Sequence, residues 1–339
     1  MFHSYFMISV THCILEKNQL NVDNVTIRKI FISNNIRYDK KTMGFTLNLL
    51  ETFRRYKLSY KNYLMVLIKM RFTRSDLIEI ITKEGGRIKA NRELITAYSC
   101  ANYIMNTNIH FVSIENEMLF FTYKTKRVKL VVGKASDPCG VFFSEDYKFL
   151  DVKNKIVLDI GANIGDSSIY FALNEAKKVI AIEPYLYAYD LMKKNIELNN
   201  LNEAIEVINA GYGEMGKVII NSGENNNGKF LNEHTGEVEV PVYDLSYLLR
   251  NINSKGIILK MDCEGCEYNL LNEPDSVYEY FDKIQIEYHY GYEGLVTRLT
   301  KAGFEVKYTE PKQFSTTNPI GPIARLGFIF ASRSSQAEN

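Results

Sequence analysis

Two glycines four positions apart close the segment Val157-Leu158-Asp159-Ile160-Gly161-Ala162-Asn163-Ile164-Gly165-Asp166. An apolar strand that runs into a glycine turn and then a helix points backbone N–H groups and a helix N-terminus into one crevice. At Gly161 and Gly165 no Cβ atom keeps a ligand from the main chain. A dinucleotide fingerprint would read G-x-G-x-x-G, and a phosphate loop would need Gly-Lys-Ser/Thr. Here the spacing is G-x-x-x-G, led by Asp159 and enclosing Asn163. A carboxylate at Asp159 repels phosphate and suits an ammonium group. The next apolar run ends in Ala181-Ile182-Glu183-Pro184. An acid at the tip of a second strand can accept both hydroxyls of a ribose. The plainer alternatives are a capping or solvated Glu183 and a turn that binds nothing. Tyr185 could lie on an adenine face or merely pack. Ala210, in Asn209-Ala210-Gly211, falls where an adenine edge would sit.

These residues need a parallel sheet to position them. After about Phe149, short apolar runs alternate with helical patterns: Ile156–Ile160, Val179–Glu183, Ile205–Asn209, Ile257–Asp262 and Lys283–Tyr288, with helices over Ser167–Ala176 and Tyr187–Leu198. Phe304–Thr309 and Phe328–Ser332 complete a mostly parallel seven-stranded sheet with helices on both faces. A side hairpin is expected from Lys217–Asn221 and Glu237–Val242 around the polar loop Ser222–Thr235. Ahead of the sheet the pattern is a smaller mixed α+β region. It contains a weak strand signal at Lys29–Ser33, one amphipathic helix over Thr46–Met70, a hairpin of Leu77–Thr82 with Arg87–Ala90, and a helix Glu93–Met105 capped by Asn91. Strands follow near His110–Ile114, Met118–Tyr123 and Val128–Val132. A loop at Asp137–Gly140 sets the domain border, giving residues 1–140 and 141–339.

The bulk numbers exclude several classes. With 41 basic and 40 acidic side chains, the formal net charge is +1, so no global field attracts nucleic acid or an anionic membrane. No run is long enough to span a bilayer. The first residues carry no basic n-region, and no signal peptide is expected. Five scattered cysteines are too few for a secreted disulfide scaffold. Reduced thiols and a cytoplasmic location follow as expectations.

The fourth and fifth strands end in Ile258-Leu259-Lys260-Met261-Asp262-Cys263-Glu264-Gly265-Cys266-Glu267 and Ile286-Glu287-Tyr288-His289. With the DIGANIGD loop and the Ile-Glu-Pro turn, these strings resemble the FkbM family of methyltransferases, in the same order, from about Phe149 to Ser332. The resemblance implies a Rossmann-like class I methyltransferase fold, S-adenosylmethionine as cofactor, and transfer to oxygen on a sugar, glycan or small metabolite. The cofactor set it suggests is Asp159, Gly161, Asn163, Gly165, Glu183, Pro184 and Ala210. An alcohol is a poor nucleophile, so a base must take its proton. His289, with an ordinary pKa near neutrality, is the first choice, and Asp262 is the second, as base or orienter. Lys260 interrupts an apolar strand and should pair with Asp262, which shares its face. Glu264 and Glu287 are candidate acceptor contacts, although Glu264 could instead cap a helix. The Cys263-x-x-Cys266 pair lacks the second pair a zinc site needs, and it is taken as incidental. No metal is assigned, although the Asp/Glu cluster offers oxygen ligands for Mg²⁺ as an alternative. The Lys193–Asn199 helix ending also resembles some RNA methyltransferases, the competing acceptor class, against which stands the near-zero net charge.

Overall fold

The computed structural model describes residues 40–73, 75–104, 108–133, 136–220, 238–252, 254–315 and 323–333. The weak strand signal at Lys29–Ser33 and the loop Ser222–Thr235 lie outside them. Contacts divide the chain into two units, Met1–Thr52 and Phe53–Asn339. Every element below lies in the second, apart from the first part of the opening helix. Among the described residues no helix is long and apolar enough to cross a membrane.

The expected single helix over Thr46–Met70 is two, α1 (Lys40–Ser59) and α2 (Tyr63–Phe72). Tertiary contacts explain the break. Tyr60 is fully buried, donates its hydroxyl to the Ile95 carbonyl at 2.6 Å and bridges Thr82. Asn62 spends its side chain on the Ile81 N–H at 2.8 Å. The expected hairpin forms as β1 (Ile78–Ile81) and β2 (Arg87–Ala90). The Asn91 side chain caps α3 (Arg92–Tyr103) by accepting the Leu94 N–H at 2.7 Å. Three antiparallel strands follow, β3 (Ile109–Glu115), β4 (Met118–Tyr123) and β5 (Lys126–Leu130). A π-helical turn, Cys139–Phe143, then leads toward the main sheet.

That sheet is built from β6 (Ile156–Ile160), α4 (Asp166–Leu173), β7 (Lys178–Ile182), α5 (Leu186–Leu198) and β8 (Ile205–Ile208). A small sheet branches off it: β9 (Gly211–Tyr212), β10 (Gly216–Ile220) and β11 (Val238–Tyr243). The chain returns through α6 (Leu245–Leu249), β12 (Ile257–Met261), α7 (Asp275–Tyr278), β13 (Phe281–Tyr288), α8 (Glu293–Lys301), β14 (Glu305–Tyr308), β15 (Lys312–Ser315) and β16 (Ile323–Ser332). The order is β14-β16-β13-β12-β6-β7-β8, with β15 paired to β16. The strands from β13 to β8 run parallel, and β16 and β14 are antiparallel. This is the Rossmann-like class I arrangement that the alternation predicts. All five residues of β12 are buried, as a strand covered on both faces requires. Each apolar side chain there contributes about 1.5–3 kcal/mol. The chain leaves β6 for β7 on one side and returns to β12 on the other. Their carboxyl ends therefore open the crevice in which such folds bind ligands.

Two sequence expectations are corrected. Cys100 is bonded to Cys139, and Cys263 to Cys266, rather than all being free thiols. The fold brings the Cα atoms of each pair to 6.0 and 5.4 Å, within disulfide reach. Lys260 pairs not with Asp262 but with Asp159 at 3.0 Å, because parallel register sets Lys260 directly opposite Asp159 on β6. The helix ending that suggested RNA is spent on the fold. Asn195, fully buried, holds the Val131 backbone and the Ile164 carbonyl, and Asn199 holds the Lys129 backbone.

Candidate functional site

Gly161 makes the turn after β6 possible. Its φ is +75°, and a Cβ there would lie 1.8 Å from the Asp262 carbonyl oxygen. The β6 and β12 turns therefore press together at the base of one cavity. About 1220 Å³ of space opens from this point to solvent. The Gly161 and Ala162 N–H groups both donate to the Ile182 carbonyl at 3.0 Å. Gly165, φ +85°, starts α4 against Met192 and lies outside the cavity wall.

Glu183, at the tip of β7, is 5% exposed and lines the cavity. Its two oxygens accept the Asn163 and Tyr185 N–H groups, each at 2.9 Å. Burial outweighs these bonds and pushes its carboxyl up to about 7. Asn209 fixes the same turn by donating to the Glu183 and Pro184 carbonyls at 2.9 Å. Ile160, Ile182, Ala210 and Tyr185 make up an apolar part of the wall beside it.

Asp159 does not reach the cavity. It is fully buried, accepts the Ser167 and Ser168 hydroxyls at 2.7 and 2.6 Å, and pairs with Lys260. Burial works against the Lys260 charge, but Asp159 and Asp262 outweigh it and raise the ammonium pKa. Lys260 also donates to the Gly161 carbonyl at 2.8 Å, which ties the two turns together.

Sequence reasoning passed over three carboxylates on this wall: Asp137, Asp146 and Asp166. Asp166 accepts the Asp137 N–H at 3.1 Å, and burial followed by Asp137 pushes it up to about 7. Burial followed by Asp137 likewise pushes Asp146 up to about 6. A Cβ at Gly140 would lie 2.5 and 2.6 Å from their oxygens, so only glycine leaves room for both Asp137 and Asp146. The signal was present as acids flanking Gly140, in a loop read only as a boundary.

At the other end stand the groups after β12 and β13. Asp262, Glu264 and Glu287 line the cavity; His289 lies behind them, 5% exposed. Glu267, which sequence reasoning gave no role, fixes His289. Fully buried, it accepts the His289 backbone N–H at 3.0 Å, meets Nδ1 at 2.9 Å and accepts the Gly265 N–H at 2.8 Å. Nothing in a lone glutamate signals this; it needs the β13 end folded over it. Nε2 of His289 faces Glu264 at 3.5 Å and Asp262 at 3.8 Å. Burial opposes the imidazolium, but Glu267 and the other carboxylates push its pKa up to about 10. Glu287 is pushed up to about 8 by burial and then by Asp262. The N-cap of the short helical turn that follows is Gly265, and Glu264 stands one residue ahead of it with a left-handed backbone, φ +57°. Of the sequence-derived set, Gly161, Asn163, Glu183, Pro184, Ala210, Lys260, Asp262, Glu264 and Glu287 share the cavity wall, and Asp159, Gly165 and His289 do not. Among the described residues, the wall carries the carboxylates of Asp137, Asp146, Asp166, Glu183, Asp262, Glu264 and Glu287 and the cation Lys260.

The sequence pattern of the methyltransferase FkbM domain matches residues 159–306. A protein named as an N5-glutamine methyltransferase of Methanocaldococcus jannaschii is 47% identical over 53 residues, covering 16% of this chain and 27% of the relative. Protein arginine N-methyltransferase 6 of Danio rerio is 30% identical over 110 residues, covering 32% of this chain and 28% of the relative. The chain thus spans about a quarter of the length of the curated relatives it matches. Among solved structures, M. jannaschii TYW2 in complex with AdoMet is 19% identical, with 68% of this chain and 92% of that chain covered and a TM-score of 0.34.

Proposed function

We propose, on the match of residues 159–306 to the methyltransferase FkbM domain, that the chain methylates a hydroxyl of a sugar, glycan or small metabolite, with S-adenosylmethionine as donor. The observation that carries the donor half is Glu183, a buried carboxylate at a strand tip on the wall of a glycine-floored cavity. The lining fits that donor part by part. Glu183 suits the ribose diol, Ile160, Ile182, Ala210 and Tyr185 suit adenine, and Asp166 with Asp137 suits the ammonium group in place of Asp159. Bound there, S-adenosylmethionine supplies a methyl group made electrophilic by its sulfonium.

The chain's own groups do the rest. Asp262 lines the cavity and His289 does not, so Asp262 is the group placed to accept a proton from the acceptor hydroxyl. His289, fixed by Glu267, holds the far side of Asp262. Lys260 keeps the β6 and β12 turns in register. Positioning of this kind can supply about 7–11 kcal/mol of a barrier. An acidic wall repels a phosphate backbone, which favours an uncharged hydroxylated acceptor over RNA. Labelled S-adenosylmethionine, offered separately with glycan, small-metabolite, RNA and protein extracts, tests the acceptor class. Label should enter the glycan or metabolite fraction as an alkali-stable O-methyl group. Label in RNA or protein alone would overturn it.

A further inference from the structure

We propose that Asp262, Glu287 and His289 hold a divalent first-row transition cation of the Mn²⁺ kind at the acceptor end of the cavity. The ion's use, binding the acceptor oxygen, rests on the function proposed above; the ion site itself does not. Each of the three side chains offers one ligand atom, and these atoms lie within 4.8 Å of one another. Metal–oxygen distances of about 2.0–2.6 Å put opposite ligands about 4–5 Å apart, so the set can close on one ion.

The second observation comes from outside the cluster. His289 is 5% exposed, and its Nδ1 is committed to Glu267 at 2.9 Å. Glu267 is itself fully buried and anchored by the Gly265 and His289 N–H groups. The ring is therefore locked, with Nε2 directed at Asp262 and Glu264. The carboxylate oxygens nearest Nε2 are those of Glu264 at 3.5 Å and Asp262 at 3.8 Å. A buried imidazole oriented by a carboxylate, with its other nitrogen facing acids, is the arrangement that presents histidine to a metal. Lys260 makes its direct contacts to Asp159 and the Gly161 carbonyl rather than to the three ligands.

The donor set selects the ion. One imidazole nitrogen with carboxylate oxygens suits Mn²⁺, Fe²⁺ or Co²⁺ better than Ca²⁺ or Mg²⁺, which prefer oxygen alone. Asp262 and Glu287 line the cavity, so an ion between them faces open space and has positions left for an acceptor hydroxyl. A hydroxyl bound to such an ion would give up its proton more readily, and the Asp262 oxygen not used on the ion is there to take it.

Mn²⁺ titration of the full chain by electron paramagnetic resonance tests the site, with pulsed measurements on the bound ion. One site per chain is expected, with ¹⁴N coupling from an imidazole. Asp262→Asn, Glu287→Gln and His289→Gln should each weaken it by about tenfold or more. The ¹⁴N coupling should vanish only in His289→Gln. S-adenosylhomocysteine affinity, measured on the same samples, shows that each variant is folded. If the wild-type chain binds Mn²⁺ but not S-adenosylhomocysteine, the donor assignment fails and the ion site stands. No Mn²⁺ site tighter than about 1 mM, a site that survives all three substitutions, or bound Mn²⁺ without ¹⁴N coupling overturns the proposal.

Discussion

Replacing Glu183 by glutamine should weaken S-adenosylhomocysteine binding by about 10- to 150-fold at pH 8. The ionised carboxylate can take a hydrogen bond from each ribose hydroxyl, worth about 1.5–3 kcal/mol apiece when one partner is charged. Glutamine keeps one carbonyl acceptor for the turn and loses the charge, so roughly one such bond is lost. That loss of about 1.5–3 kcal/mol converts at 1.4 kcal/mol per tenfold. The wild-type affinity should also depend on pH. Glu183 titrates at about 7 because it is buried. Below that pH it carries a proton that binding must remove, so affinity should fall as pH drops through 7. Asp166, also at about 7, adds a second such term if it meets the ammonium group. Titration calorimetry from pH 5.5 to 8.5, in buffers of different ionisation enthalpy, reads both affinity and protons released. Glu183→Gln should release one proton fewer and show a shallower pH profile. An affinity within about threefold of wild type across that range would refute the ribose assignment.

Other consequences follow from the same contacts. Lys260→Met leaves the fully buried Asp159 without its cation, and urea denaturation should show a loss of about 3–5 kcal/mol; a loss below about 1 kcal/mol would contradict the pairing. Glu183 binds a proton more tightly folded than unfolded, so its contribution to stability is complete below 4.5 and is lost as pH rises to about 7. That interval is worth roughly 3 kcal/mol, and the melting temperature of ligand-free wild type should fall relative to Glu183→Gln between pH 5 and 8. Cys100 and Cys139 are 39 residues apart and Cys263 and Cys266 only 3, so loop entropy assigns about 4 kcal/mol to the first bond and about 2 to the second. Cys100→Ser should therefore lower the urea midpoint more than Cys263→Ser; the reverse order would contradict the loop-entropy account.

Much of the sheet is legible because its strands are short, apolar and buried on both faces, as at Ile156–Ile160 and Ile257–Met261. Their edges move by a residue or two, apart from β16, which starts at Ile323 rather than Phe328, but their order follows from the alternation. Glu183 and Gly161 are legible for a related reason: a strand tip and a tight turn impose their own residue types. What escapes notice depends on contacts across the chain. The helix break at Tyr60 exists because that hydroxyl reaches Ile95. Lys260 finds Asp159 through strand register, which spacing within β12 cannot reveal. Asp137 and Asp146 come from a loop with no periodicity, and only the fold brings them beside Asp166. Glu267 gains its role only once β13 lays His289 against it.

A crystal structure of the chain with S-adenosylhomocysteine tests the central claim most directly. Both ribose hydroxyls should lie within hydrogen-bond distance of the Glu183 carboxylate, with adenine against Ile182 and Ala210. A ligand seated elsewhere, or a ribose that leaves Glu183 bonded only to the Asn163 and Tyr185 N–H groups, would contradict it.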